Sequence, residues 1–222
     1  MKLFRIFAIA ALAMVSSVSA QAGAITGVVL SNLGSDGDTH GALAGSWNIN
    51  GSTSLAVGFT TGAADFKLNQ FNAALFGVSS GTVSATITIY ESSSGKPGAF
   101  VGSATNPSIG TDDAHTFDFA PAGGLTLTAN KTYFAVATTT GTSSSWYFNG
   151  PAPTASAPGG VSYLNTIVTS DNGTSWSPVN PVFNAFFAIA GTPVPPAAVP
   201  EPALTSLLCL SGIALIRRRM KK

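Results

Sequence analysis

Side chains able to do chemistry are sparse in this 222-residue chain, which has one cysteine, two histidines and nine acids. Hydrolysis by paired carboxylates needs two acids presented across a cleft at a set separation, one of them held protonated. Asp112 and Asp113 are sequence neighbours. A strand would point them to opposite faces, and a turn would leave both solvated. His40 and His115 stand in no Ser/His/Asp or metal-ligand spacing, and Cys209 lies inside a C-terminal apolar run. No catalytic residue and no cofactor is therefore expected. Asp36 and Asp38 of Ser35-Asp36-Gly37-Asp38 are candidate oxygen ligands for Ca²⁺, but the remainder of a calcium loop is missing, and a plain turn is the simpler expectation.

A second chemical possibility is stacking. Trp47, Trp146, Tyr147 and Trp176 fall in or beside expected loops and strand ends, where flat aromatic faces can lie against sugar rings. Against this stands packing, because a tryptophan usually hides most of its surface in a core or at its rim.

The elements that must position these residues are strands. Val83-Ser84-Ala85-Thr86-Ile87-Thr88-Ile89-Tyr90 alternates apolar and polar residues with period two. Residues 55–61, 66–76, 116–119, 132–139, 145–148, 161–169 and 184–190 carry the same signal. In 66–76 the apolar phase slips, from Phe66 and Leu68 to Phe71, Ala73 and Leu75, which predicts a β-bulge near Asn69. Turn residues separate the runs at Gly34-Ser35-Asp36-Gly37-Asp38, Ser94-Gly95-Lys96-Pro97-Gly98, Ala122-Gly123-Gly124, Ala157-Pro158-Gly159-Gly160 and Asp171-Asn172-Gly173. Short strands between such turns, with no helical periodicity, predict an all-β antiparallel β-sandwich of jelly-roll type, with a closed barrel as the alternative.

Composition bounds the partners. Charged residues make up only 9% of the chain, so hydroxyls and amides must solvate the surface. Seven of the ten basic residues sit at the ends, as Lys2, Arg5, Arg217, Arg218, Arg219, Lys221 and Lys222. Between Gly23 and Val199, three lysines face eight acids, a net charge of −5. That balance speaks against a nucleic-acid partner, which requires a basic face. A domain whose only cysteine is outside it has no disulfide and must be held by packing.

The two ends look like addresses. Residues 1–22 have a basic start (Lys2, Arg5), an apolar stretch from Ile6 to Val15 and a small-residue end at Val18-Ser19-Ala20, the layout of a secretory signal peptide with an expected signal helix. Cleavage after Ala20 or after Ala22 fits. A domain over 23–192 is followed by a Pro/Ala linker at 193–198 and a tail at 199–222. The tail contains Val199-Pro200-Glu201-Pro202, fourteen apolar or small residues from Ala203 to Ile216, and Arg217-Arg218-Arg219-Met220-Lys221-Lys222. As a helix, that run spans about 21 Å, short of a ~30 Å hydrocarbon core. The basic cluster would stay cytoplasmic and leave Glu201 beyond the inner membrane, in an extended segment held by two prolines.

This tail resembles the PEP-CTERM sorting signal of Gram-negative bacteria. The resemblance implies exosortase as a partner, with Pro200, Glu201 and Pro202 as the recognition residues and Arg217, Arg218 and Arg219 as the stop-transfer signal. It further implies transient residence in the inner membrane through a short transmembrane helix, then delivery to the cell surface or extracellular matrix. Within the domain, three stretches in order resemble the choice-of-anchor R family: Leu55 to Gly62, Ile87-Thr88-Ile89-Tyr90 with Gly95-Lys96-Pro97-Gly98, and Leu127 to Val136. No catalytic residues come with that resemblance. The expectation is an exported, non-enzymatic surface protein with a structural or interaction role in the exopolysaccharide or biofilm layer. A carbohydrate-binding module is the alternative, and an extracellular hydrolase the third reading.

Overall fold

Alternation of apolar and polar side chains becomes alternation of buried and exposed faces when a strand lies on a core. Val83, Ala85, Ile87 and Ile89 are buried and Ser84, Thr86, Thr88 and Tyr90 half-buried, as that rule requires. The structure is a computed structural model, and it describes residues 27–33, 45–77, 83–104, 108–109, 114–140, 144–150, 154–155, 161–179 and 184–195. The expected signal helix, transmembrane helix and sorting tail lie outside the described residues. Among the described residues, no helix is long and apolar enough to cross a membrane.

The strands, in chain order, are β1 (Val28–Ser31), β2 (Gly45–Ile49), β3 (Ser54–Thr60), β4 (Phe66–Gly77), β5 (Val83–Ser93), β6 (Lys96–Ala104), β7 (Ser108–Ile109) and β8 (Ala114–Phe119), followed by β9 (Leu125–Leu127), β10 (Thr132–Thr140), β11 (Ser144–Gly150), β12 (Thr154–Ala155), β13 (Ser162–Thr169), β14 (Ser177–Pro178), β15 (Asn184–Ala185) and β16 (Phe187–Pro193). They form two antiparallel sheets. The first has nine strands, with β12, β1, β16, β4, β11 and β15 along its main path, β2 on β11, and β8 and β9 on β4. The second has seven, in the order β14, β13, β3, β10, β5, β6, with β7 on β5. One apolar cluster is shared by both, with Phe66, Phe71, Leu75, Trp146 and Phe187 from the first sheet and Leu55, Val57, Phe59, Ile87 and Tyr133 from the second. Two sheets closing on a common core make a β-sandwich.

Aromatic rings pack both within a layer and between the two. Phe71 stacks on Phe187, with centroids 5.7 Å apart, and receives the edge of Trp146 at 6.1 Å. Tyr163 of β13 meets Phe187 from the other sheet at 6.1 Å. Its hydroxyl donates to Asn184 Oδ1 at 2.9 Å, so the buried phenol has a partner, and burial pushes its pKa up.

The bulge expected at Asn69 is present. Gln70 pairs with Ala190 and Leu68 with Gly191, leaving Asn69 as the extra residue, and Phe66, Leu68, Phe71, Ala73 and Leu75 all reach the core. Between β15 and β16, the chain breaks pairing at Phe186. Asn32 clasps this point, donating from Nδ2 to Ala185 O and accepting from Phe187 N–H, both at 2.8 Å.

Two sequence expectations need correction. The expected turn over 94–98 is only Ser94-Gly95, both at positive φ (53° and 77°), a tight mirror-image hairpin turn that matches strand twist. Lys96, Pro97 and Gly98 instead begin β6. Proline is tolerated there because, among the described strands, β6 pairs with β5 alone, and an edge strand leaves one row of backbone groups unbonded to the sheet. The linker also starts later than expected, because β16 runs through Pro193, opposite Phe66, and Val194 N–H reaches Asp65 O at 2.6 Å.

Candidate functional site

Where the edges of the two sheets come together lies an open groove of about 590 Å³, and its lining among the described residues is uncharged throughout. Ser46, Trp47, Asn48 and Asn50 of β2 and the following turn, with Thr53, form one wall. The other is built from the end of β13 and from β14: Val168, Thr169, Ser170, Ser175 and Ser177.

Each wall is held from behind. Among the described strands β2 pairs with β11 alone, but Thr139 of the opposite sheet donates its hydroxyl to Ile49 O at 3.1 Å. Asn48 Oδ1 accepts from Ser145 Oγ at 2.8 Å. Asn50 Oδ1 accepts from Ser52 N–H and Thr53 N–H at 2.9 Å each and from Ser52 Oγ at 3.0 Å. Both carboxamides are thus gripped by their oxygens, which leaves the NH₂ ends as the groups presented for donation.

The second wall is organised by Asp171. Its Oδ2 accepts from Ser175 Oγ at 2.5 Å, while its Oδ1 accepts from Ser175 N–H at 2.9 Å and Thr169 Oγ1 at 2.6 Å. These bonds favour the charged carboxylate, those from Ser175 most of all, and hold its pKa down at about 2. Thr169 Oγ1 in turn accepts from Gly173 N–H at 3.1 Å. The walls are joined directly, because Asn172 N–H donates to Ser52 O at 3.0 Å.

The aromatic candidates separate. Trp47 is half-buried, packs against the core and lines the groove. Trp146 does not belong in a glycan-contact set. It is fully buried and its Nε1–H donates to Phe186 O at 2.9 Å, so neither face nor polar edge reaches solvent. Trp176 is half-buried on the outward face of the seven-stranded sheet, against a small apolar cluster of Ala56, Phe134, Val136 and Ile167. It is not among the groove's lining residues. Tyr147 pairs with Ser46 across β11 and β2, and its side chain lies outside the described residues.

Asp36, Asp38, His40, Asp112, Asp113, the Pro200-Glu201-Pro202 motif and Arg217, Arg218 and Arg219 also lie outside the described residues. Among the described residues, no group of three or more His, Cys, Asp or Glu could hold a metal ion. Sequence reasoning missed most of the groove. Asp171-Asn172-Gly173 is visible as a turn, but nothing local brings it to Asn50 and Thr53, so far away in the chain. The chain matches no protein-family model, and no curated protein is similar to it. What fold and groove define is therefore a class: an all-β protein of two antiparallel sheets with an uncharged polar groove at its edge.

Proposed function

We propose that the chain is an exported surface protein, released from its membrane tail by exosortase and placed in the exopolysaccharide layer of a Gram-negative bacterium as a structural or interaction component. The observation that carries this reading is the order and spacing of the tail: Val199-Pro200-Glu201-Pro202, the fourteen-residue run from Ala203 to Ile216, and the Arg217-Arg218-Arg219 cluster. A run that short makes a poor permanent anchor and suits a segment that is held and then removed. The signal-like residues 1–22 supply the route across the inner membrane.

The domain suits an exposed matrix. Its packing needs no disulfide, and its low charge leaves hydroxyls and amides to meet a hydrated polymer. We read the sandwich as jelly-roll-like, since most neighbours in the seven-stranded sheet, such as β13 with β3 and β3 with β10, are distant in sequence. Carbohydrate binding is the second reading, favoured by the groove. A hydrolase is the weaker third, because none of the groove's described residues is ionisable and the adjacent Asp171 is committed to structural hydrogen bonds.

Mass spectrometry of the protein from its native host, comparing wild type with Glu201→Ala, tests the proposal. The expected wild-type C-terminus lies at or near Pro200 to Pro202, with the variant retained in the membrane. An intact C-terminus at Lys222 in the wild type would overturn exosortase processing.

A further inference from the structure

We infer that the groove between β2 and the β13–β14 hairpin is a binding site for a segment of neutral polysaccharide. The inference deepens the interaction role proposed above and rests on it only for the presence of glycan around the protein.

Polyols are recognised by two kinds of surface, a flat aromatic face for the C–H side of the ring and fixed hydrogen-bonding groups for the hydroxyls. The groove supplies both. Trp47 is the aromatic residue of the lining, and Ser46, Asn48, Asn50, Ser170 and Ser177 are its hydroxyl- and amide-bearing residues. A flexible set of such groups would lose much of its binding energy to ordering. Here part of the ordering is already done, because Asn48 and Asn50 are gripped by their oxygens, Ser175 and Thr169 are tied to Asp171, and the two walls are bonded through Asn172 and Ser52.

Charge selects the class of glycan. An acidic polysaccharide needs a cation, and among the described residues none lines the groove. Of the lysines between Gly23 and Val199, Lys131 is ion-paired with Glu91 at 2.6 Å, and Lys67 and Lys96 lie on other strands, β4 and β6. The net charge of −5 over that region would also repel a polyanion. A protein partner is less well served, since interface cores bury apolar anchors in pockets, and this groove is walled by hydroxyls and amides.

The test uses the full-length chain in a zwitterionic, non-glycosidic detergent, titrated with cellohexaose, mannohexaose and chitohexaose as neutral probes and with hexaguluronate as the acidic one. At least one neutral hexasaccharide is expected to bind and to change tryptophan fluorescence, and hexaguluronate to bind more weakly. Trp47→Ala should weaken binding about tenfold. Because Trp47 also packs on the core, Ser46→Arg is the second variant. Ser46 is exposed on an edge strand, so a bulky charge there should block the groove to the same extent while leaving the denaturation midpoint unchanged. Failure of every neutral probe to bind, binding unaffected by Ser46→Arg in folded protein, or preference for hexaguluronate would each overturn the site. These outcomes are independent of the C-terminal mass measurement, so loss of the sorting proposal and loss of the glycan site can be told apart.

Discussion

Trp47 and Trp146 face one another across the β2–β11 ladder, yet Trp146 is fully enclosed while Trp47 keeps part of its indole on the groove. The difference follows from position in the sheet. Among the described strands, β11 has β4 and β15 on its path through the sheet as well as β2, whereas β2 is paired with β11 alone. The inner of two opposed tryptophans becomes core, and the outer becomes rim.

That relationship predicts unequal costs. Trp146→Ala removes a buried indole that meets Phe71 edge-on and bonds Phe186 O, and should destabilise the fold by about 3–5 kcal/mol. Trp47→Ala should cost clearly less, since part of its surface is already in water. Urea midpoints of the two variants check this, and equal losses would contradict the rim assignment.

A second prediction concerns the bulge. A Cβ on Gly191 would run into the carbonyl oxygen of Lys67 and the ring of Phe66. Backbone at the bulge cannot yield as a flexible side chain can, so Gly191→Ala should cost about 1–3 kcal/mol, as overpacking does. Gly51→Ala is the control, because a Cβ there meets nothing within 4 Å. Thermal midpoints of the pair should separate; a neutral Gly191→Ala would mean that the bulge shifts register without strain.

Acid should loosen one wall of the groove before the rest. Asp171 has its carboxyl held at about 2, against an ordinary value of 3.8. A depressed folded-state value contributes stability that is complete above about pH 4 and disappears as pH falls towards 2. Amides of Asp171 to Ser175 should therefore gain hydrogen exchange between about pH 4 and pH 2, after correction for intrinsic rates. Asp171→Asn should raise exchange there at neutral pH and remove the acid-dependent step. Identical pH profiles in wild type and variant would show that the carboxylate does not organise the turn.

Local pattern made much of the sandwich legible. Strands β4 and β5 follow from alternation, because a residue's face in a strand depends only on its place in a period of two, whereas β3 and β10 are runs buried on both faces. The bulge at Asn69 was visible for the same reason, as a slip of phase. Strand β6 was not, since Lys96-Pro97-Gly98 looks like turn, and most of the strand is exposed or half-exposed at an edge. Its strand state comes from pairing with β5, which no window of sequence contains.

The proposed sorting tail rests on the sequence alone. A proline-flanked glutamate, a short apolar run and a basic cluster follow one another in linear order, and that order needs no tertiary contact. Trp47 and Trp146 carried equal weight as aromatic candidates until strand pairing made one of them core. The groove, too, was settled only by the tertiary structure, which sets Ser46 and Asn48 opposite Thr169 and Ser177. Period and composition act between neighbours along the chain, whereas burial and site geometry depend on which distant strands share an edge.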